Sequence, residues 1–108
     1  MKPLPTRLRF VLSAAIACAA TGALAQGADL RVRSLAATCA ACHGTEGRAV
    51  SGAGMMGLRG LDKTYLVNQL NAFRDGTRPA TVMQQIAKGY TPGQIEQLAV
   101  FFAAGGKP

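Results

Sequence analysis

The run Thr-Cys-Ala-Ala-Cys-His-Gly, residues 38–44, places two thiols and an imidazole within five positions: Cys39, Cys42 and His43. The only other cysteine, Cys18, lies far upstream, and there is no other histidine. A Cys-x-x-Cys pair can exchange disulfides, but that motif expects a βαβ pattern beside it, and no segment here reads as a strand. A structural zinc wants four ligands; no second Cys/His cluster exists, and nothing in the sequence nominates a carboxylate. A nucleophilic cysteine would leave the second thiol idle. Covalent attachment of haem employs all three groups. The thiols add to the porphyrin's two vinyl groups, and the adjoining imidazole presents its ring nitrogen to the iron. Positions i, i+3 and i+4 share one helix face, which suits that task. A secreted dithiol or metal-binding module is the alternative of a different class.

An iron held from one side by His43 has a second axial position. Met55, Met56 and Met83 are the candidates, because a thioether is a soft ligand that favours reduced iron. Chain reach does not choose among them, and methionine also fills irregular gaps in ordinary cores. Met55 and Met56 sit in a glycine-rich loop, and Met83 follows the second helix. On the residues alone Met83 is favoured only modestly.

The elements that must position these groups read as all-α. Val32, Leu35, Ala36 and Cys39 form one apolar stripe, predicting a helix from Leu30 to Cys42 that stops at Gly44. Residues 44–60 hold six glycines and show no periodicity. Such a loop suits close passage around the edge of a ligand. Asp62 caps a second helix to about Asp75, with Tyr65, Leu66, Gln69, Leu70 and Phe73 on one face and Gly76 as its stop. A turn or two of helix is expected over Thr81–Lys88. Thr91, Pro92 and Gln94 then give the chain's clearest start signal, and Ile95, Leu98, Ala99 and Phe102 form the buried stripe of the last helix.

The chain has 108 residues, room for one small domain. Lys2, Arg7 and Arg9, an apolar run and then Ala-Leu-Ala before Gln26 give the order of a secretory signal peptide. Residues 1–25 are therefore expected to be removed, leaving 26–108 as the mature domain, exported to the periplasm. The apolar run is short of the roughly 20 residues that cross a bilayer, so no stable membrane span is expected. A lipid anchor on Cys18 ranks below simple removal, because the lipoprotein box lacks its leucine-like residue. Residues 26–108 carry nine basic and five acidic side chains, a net charge of +4. No basic stripe interleaved with aromatics exists to bind nucleic acid. With no tryptophan anywhere and twelve glycines in residues 26–108, this domain is short of core. A large apolar cofactor would fill the deficit.

Beyond the motif, "LRGLDKTYLVNQLNAFRDG" and "RPATVMQQIAKGYTPGQIEQLAVFFA" resemble class I cytochromes c. More narrowly, they are similar to the cytochrome subunits of flavocytochrome c sulfide dehydrogenases. The resemblance runs from about Ala37 to Ala103. It implies three to four helices around one covalent haem c, with Cys39 and Cys42 as thioether attachments, His43 as proximal ligand and Met83 as distal ligand. It also implies that the first and last helices cross over Phe101 or Phe102. Where the family often has a proline, whose carbonyl holds the proximal histidine's other nitrogen, this chain has Met56. The function implied is that of an electron carrier, not itself an enzyme. It would take electrons from an FAD-bearing, sulfide-oxidising subunit and pass them to a downstream acceptor; a free-standing cytochrome serving other partners is the alternative. Gly52, Gly54 and Arg59 are expected to ring the exposed haem edge and meet the partner.

Overall fold

The computed structural model describes residues 26–107. The expected signal peptide and Cys18 lie outside the described residues. The chain divides after Arg31 into two compact units. Residues 26–31 of the first are helical, and the second, from Val32, carries the core and the Cys-Cys-His motif.

The single helix expected over Leu30–Cys42 is two. Helix α1 covers residues 26–37, and a short α2 covers Ala40–His43. The break falls at Thr38 and Cys39. Their amides bond three residues back, to the Leu35 carbonyl at 3.3 Å and the Ala36 carbonyl at 3.1 Å. The Thr38 hydroxyl also donates to the Leu35 carbonyl at 2.8 Å. A hydroxyl that bonds a nearby carbonyl competes with the helical ladder, a local effect that apolar periodicity does not register. Helix α2 then restarts the ladder, with the His43 amide on the Cys39 carbonyl at 2.9 Å.

A 3₁₀ turn, Thr45–Gly47, opens the glycine-rich loop. Helix α3 spans Lys63–Asp75. Its Asp62 cap accepts the Tyr65 amide at 2.8 Å, and Gly76 closes it in a left-handed conformation. Helix α4, Met83–Lys88, starts two residues later than expected. Helix α5, Pro92–Ala103, has the full capping box: Thr91 Oγ1 accepts the Gln94 amide at 3.2 Å, and Gln94 Oε1 accepts the Thr91 amide at 2.9 Å. No strand occurs among the described residues.

The core is built mainly on α5. Leu98, Ala99, Phe101 and Phe102 form one buried cluster with Ala36 of α1 and Leu66 of α3, and Val32, Leu35 and Cys39 pack against it. Both phenylalanines named for the crossing of the first and last helices, Phe101 and Phe102, are buried in the cluster that also holds Ala36. Their rings meet edge to face, with centroids 5.2 Å apart, the favoured geometry for aromatic pairs. Ile95 and Ala87 are also fully buried. The architecture is the expected small all-α fold.

Because the α5 capping box satisfies two otherwise unpaired amides at the base of the core helix, Thr91→Ala should destabilise the protein by about 1 kcal/mol. Urea unfolding should show a lower midpoint with an unchanged slope.

Candidate functional site

Helix α3 has its apolar face turned toward a hollow. Tyr65, Leu66, Gln69, Leu70 and Phe73 all line a cavity of about 470 Å³, within the roughly 300–1,000 Å³ of small-molecule and cofactor pockets. Leu98, Ala99 and Phe102 of α5 line it too, as do Val82, Met83 and Ile86 around α4, and Leu58 and Leu61 from the loop. A stripe that reads as core in the sequence is thus the wall of a space that no side chain fills.

The residues nominated for chemistry meet there. Cys39, Cys42 and His43 all line this cavity, and so does Met83, the first residue of α4. Met55 and Met56 line it as well. Gly44, directly after the histidine, has φ 82°, and a Cβ there would lie 1.7 Å from the Arg48 carbonyl oxygen. Only glycine permits that turn, which carries the chain sharply away from His43.

His43 is the buried polar residue of the described core. Its ring Nδ1 donates to the Met56 carbonyl at 2.7 Å. The carbonyl can only accept, so the proton is on Nδ1 and the lone pair is on Nε2. Fixing the tautomer this way raises the basicity of the free nitrogen as a metal ligand. A backbone carbonyl thus supplies the contact expected of the family's proline, and Met56 is the residue that provides it.

Cys39 is held differently from Cys42. Its thiol is half-buried, while Cys42 is exposed. Burial pushes the Cys39 pKa up; the Thr38 and Tyr90 hydroxyls pull it partly back, and Cys42 adds a smaller push upward. A neutral thiol suits an apolar wall. The Thr38 hydroxyl proton lies on the Leu35 carbonyl, so the Tyr90 hydroxyl donates to Thr38 Oγ1, at 2.8 Å. That bond ties the α1–α2 break to the segment between α4 and α5, beside the first cysteine.

Sequence reasoning missed Thr38, Tyr90 and Arg78, all of which line the cavity. Arg78 is the one guanidinium of that lining. It lies 4.6 Å from the centroid of the Phe73 ring and donates to Gln69 Oε1, while its carbonyl accepts from the Gln84 side chain at 3.1 Å. A cation stacked on an aromatic face and hydrogen-bonded is well held at an apolar wall. Its place before Pro79, just past a helix end, was the available signal.

The expected ring of docking residues is corrected in part. Gly54 lines the cavity, but Gly52 and Arg59 do not. The Arg59 guanidinium turns to Glu46, 3.1 Å from its Oε2, and that pairing withdraws it from the cavity edge.

The chemistry of this lining suits a large apolar ring carrying iron. There are two thiols at attachment spacing, an imidazole with its metal-binding nitrogen left free, thioethers, hydrophobic walls and one cation for an acidic substituent. Among the described residues, no three His, Cys, Asp or Glu side chains converge to hold a bare metal ion.

No family-level sequence profile matches the chain. It is 41% identical over 76 residues to the thiosulfate dehydrogenase electron acceptor of Thiomonas intermedia; the match covers 68% of this chain and 35% of that protein. It is 36% identical over 74 residues to the cytochrome subunit of sulfide dehydrogenase of Chlorobaculum tepidum, covering 68% of this chain and 66% of that protein. It is 34% identical over 70 residues to cytochrome c-554(548) of Halomonas halodenitrificans, covering 62% of this chain and 83% of that protein. The chain thus spans about a third of the first relative's length and just under two thirds of the second's.

Tyr90→Phe removes the bond to Thr38 and leaves the ring in place. It should lower stability by about 1 kcal/mol, read as a shift in the denaturation midpoint.

Proposed function

The chain belongs to the cytochrome c family, and on that premise we propose that residues 26–108 form a single-haem electron carrier of the periplasm, exported by a signal peptide spanning residues 1–25. Cys39 and Cys42 would hold the haem through thioether bonds, and His43 and Met83 would ligate its iron. The observation that carries this reading is the meeting of all four side chains on one apolar cavity, with His43 Nδ1 already engaged by the Met56 carbonyl.

Bound there, haem supplies one-electron chemistry by cycling its iron between ferric and ferrous states. The chain's own residues set the terms. The apolar walls exclude water and disfavour the additional charge of the oxidised form, and the Met83 thioether acts in the same direction. His43 opposes them, because its hydrogen-bonded imidazole is the more basic donor. Arg78 offers a countercharge to the haem carboxylates. The relatives, named as an electron acceptor and as cytochromes, support a carrier and not a catalyst.

The electron donor we propose is a sulfur-compound dehydrogenase, and most specifically the FAD-bearing subunit of a sulfide dehydrogenase. The names of the Thiomonas and Chlorobaculum relatives support this. A free-standing carrier is the second reading. It is favoured by the Halomonas cytochrome, of which this chain covers 83% and whose name specifies no dehydrogenase. Native purification separates the two: a yellow flavoprotein should co-elute with the red protein under the first and be absent under the second.

Purified native protein should give the pyridine haemochrome spectrum of a doubly thioether-linked haem; a colourless folded protein would contradict the reading. Met83→Ala should keep the haem, abolish the sulfur-to-iron charge-transfer band of the oxidised protein and lower the reduction potential. Retention of both band and potential would assign the distal position elsewhere.

A further inference from the structure

Glu46 is the described non-glycine residue with a positive φ, 55°. That conformation is strained for a residue with a side chain, so something must hold it. Its carboxylate meets the Arg59 guanidinium at 3.1 Å, with Arg48 at 3.6 Å and Arg33 at 3.9 Å. The end of the chain folds over this pair. A Cβ at Gly106 would lie 2.6 Å from Glu46 Cβ, and one at Gly105 would lie 3.6 Å from the Arg59 guanidinium. The pair is sheltered accordingly, with the Arg59 side chain 31% exposed and that of Glu46 35% exposed.

Its place in the chain gives it a consequence. Glu46 is three residues after His43, and Arg59 is three residues after Met56. Between them, the Gly47 carbonyl accepts two amides, from Leu58 at 2.8 Å and Arg59 at 3.1 Å. Gly47 has φ 73°, and a Cβ there would sit 2.8 Å from the Phe102 ring, so the two chain segments close directly on the core. Segments 43–47 and 56–59 are therefore joined at three levels: the His43–Met56 hydrogen bond, the Gly47 fork and the Glu46–Arg59 pair. The outer two ties fix the first. The Met56 carbonyl belongs to an exposed residue in a loop, and the local bonds that hold it over the imidazole are these.

We propose that the Glu46–Arg59 pair is a positioning device for the proximal histidine: it holds the Met56 carbonyl on His43 Nδ1 and thereby tunes the iron that His43 ligates. This deepens the haem-carrier reading and rests on it. Neither residue touches the cavity. Loosening the pair lengthens the hydrogen bond from Nδ1–H to the Met56 carbonyl, leaves Nε2 a weaker donor, stabilises ferric iron less and raises the reduction potential.

The test uses the haem-loaded protein with Arg59→Gln, Glu46→Gln and the double variant. Solvent exchange of the His43 Nδ1 proton, followed by NMR of the reduced protein, should accelerate about tenfold in each single variant, the order of effect expected on losing a hydrogen bond to a charged group. The double variant should match Glu46→Gln, because that substitution already removes the contact with Arg59, along with those to Arg48 and Arg33. The reduction potential should rise in all three. Arg59→Lys should restore part of the protection. Glu46→Gly, which relieves the strain and removes the carboxylate, should still exchange fast, and so keeps the test open if other variants fold poorly. Unchanged exchange and potential in variants that carry haem would overturn the positioning role alone. Absence of haem from the unsubstituted protein would overturn the reading beneath it.

Discussion

The hydrogen bond from His43 Nδ1 to the Met56 carbonyl, 2.7 Å long, is the constraint around which the rest of the site is organised. An imidazole free to rotate or to exchange tautomers is a poor metal ligand; one with its Nδ1 proton committed to a carbonyl has a single nitrogen to offer and a fixed plane. Making that bond requires the chain to leave His43 and come back. Gly44 begins the departure with a turn that forbids a side chain, the glycine-rich loop makes the return, and the double acceptor role of the Gly47 carbonyl closes it. Three of the glycines of residues 44–60, Gly44, Gly47 and Gly57, thus mark a path on which a Cβ would meet close neighbours.

The second constraint is what the protein lacks. Helix α5 supplies a tight cluster with Ala36 and Leu66, but residues of α3 and α4, Leu70, Phe73, Met83 and Ile86 among them, also line a hollow. Exposed apolar surface costs roughly 25 cal/mol per Å², and a small domain has little stability to spare. A covalently held apolar cofactor, as proposed, would resolve both difficulties: it would cover those walls and could not dissociate. Structure and redox purpose therefore depend on one group. Among the described residues no helix is long and apolar enough to cross a membrane.

Much of this was legible in the residues because it is local. The caps at Asp62 and Thr91, the stop at Gly76, and the buried stripe of α5 depend on neighbours a few positions apart. Met83 emerged from the resemblance of "ATVMQQIAKGY" to cytochrome segments, since reach alone did not distinguish it from Met55 and Met56. What escaped depends on contacts across the chain. The break at Thr38 arises from a hydroxyl that bonds the helix carbonyl and accepts from Tyr90, 52 positions away. Apolar spacing cannot say whether Tyr65, Leu70 and Phe73 face a core or a cavity. Arg59 looked like a surface charge beside the site because its partner, Glu46, is brought to it only by the loop's return. Arg78 was hidden because a cation among turn residues ordinarily faces water.

The most direct test of the central claim is the mass of the proteolytic peptide spanning residues 34–48, which contains both thiols and His43, taken from protein purified from its own exported fraction. The account predicts a peptide heavier by one intact haem, with neither cysteine open to alkylation. A peptide of unmodified mass, or one lighter by the two hydrogens of a Cys39–Cys42 disulfide, would contradict it.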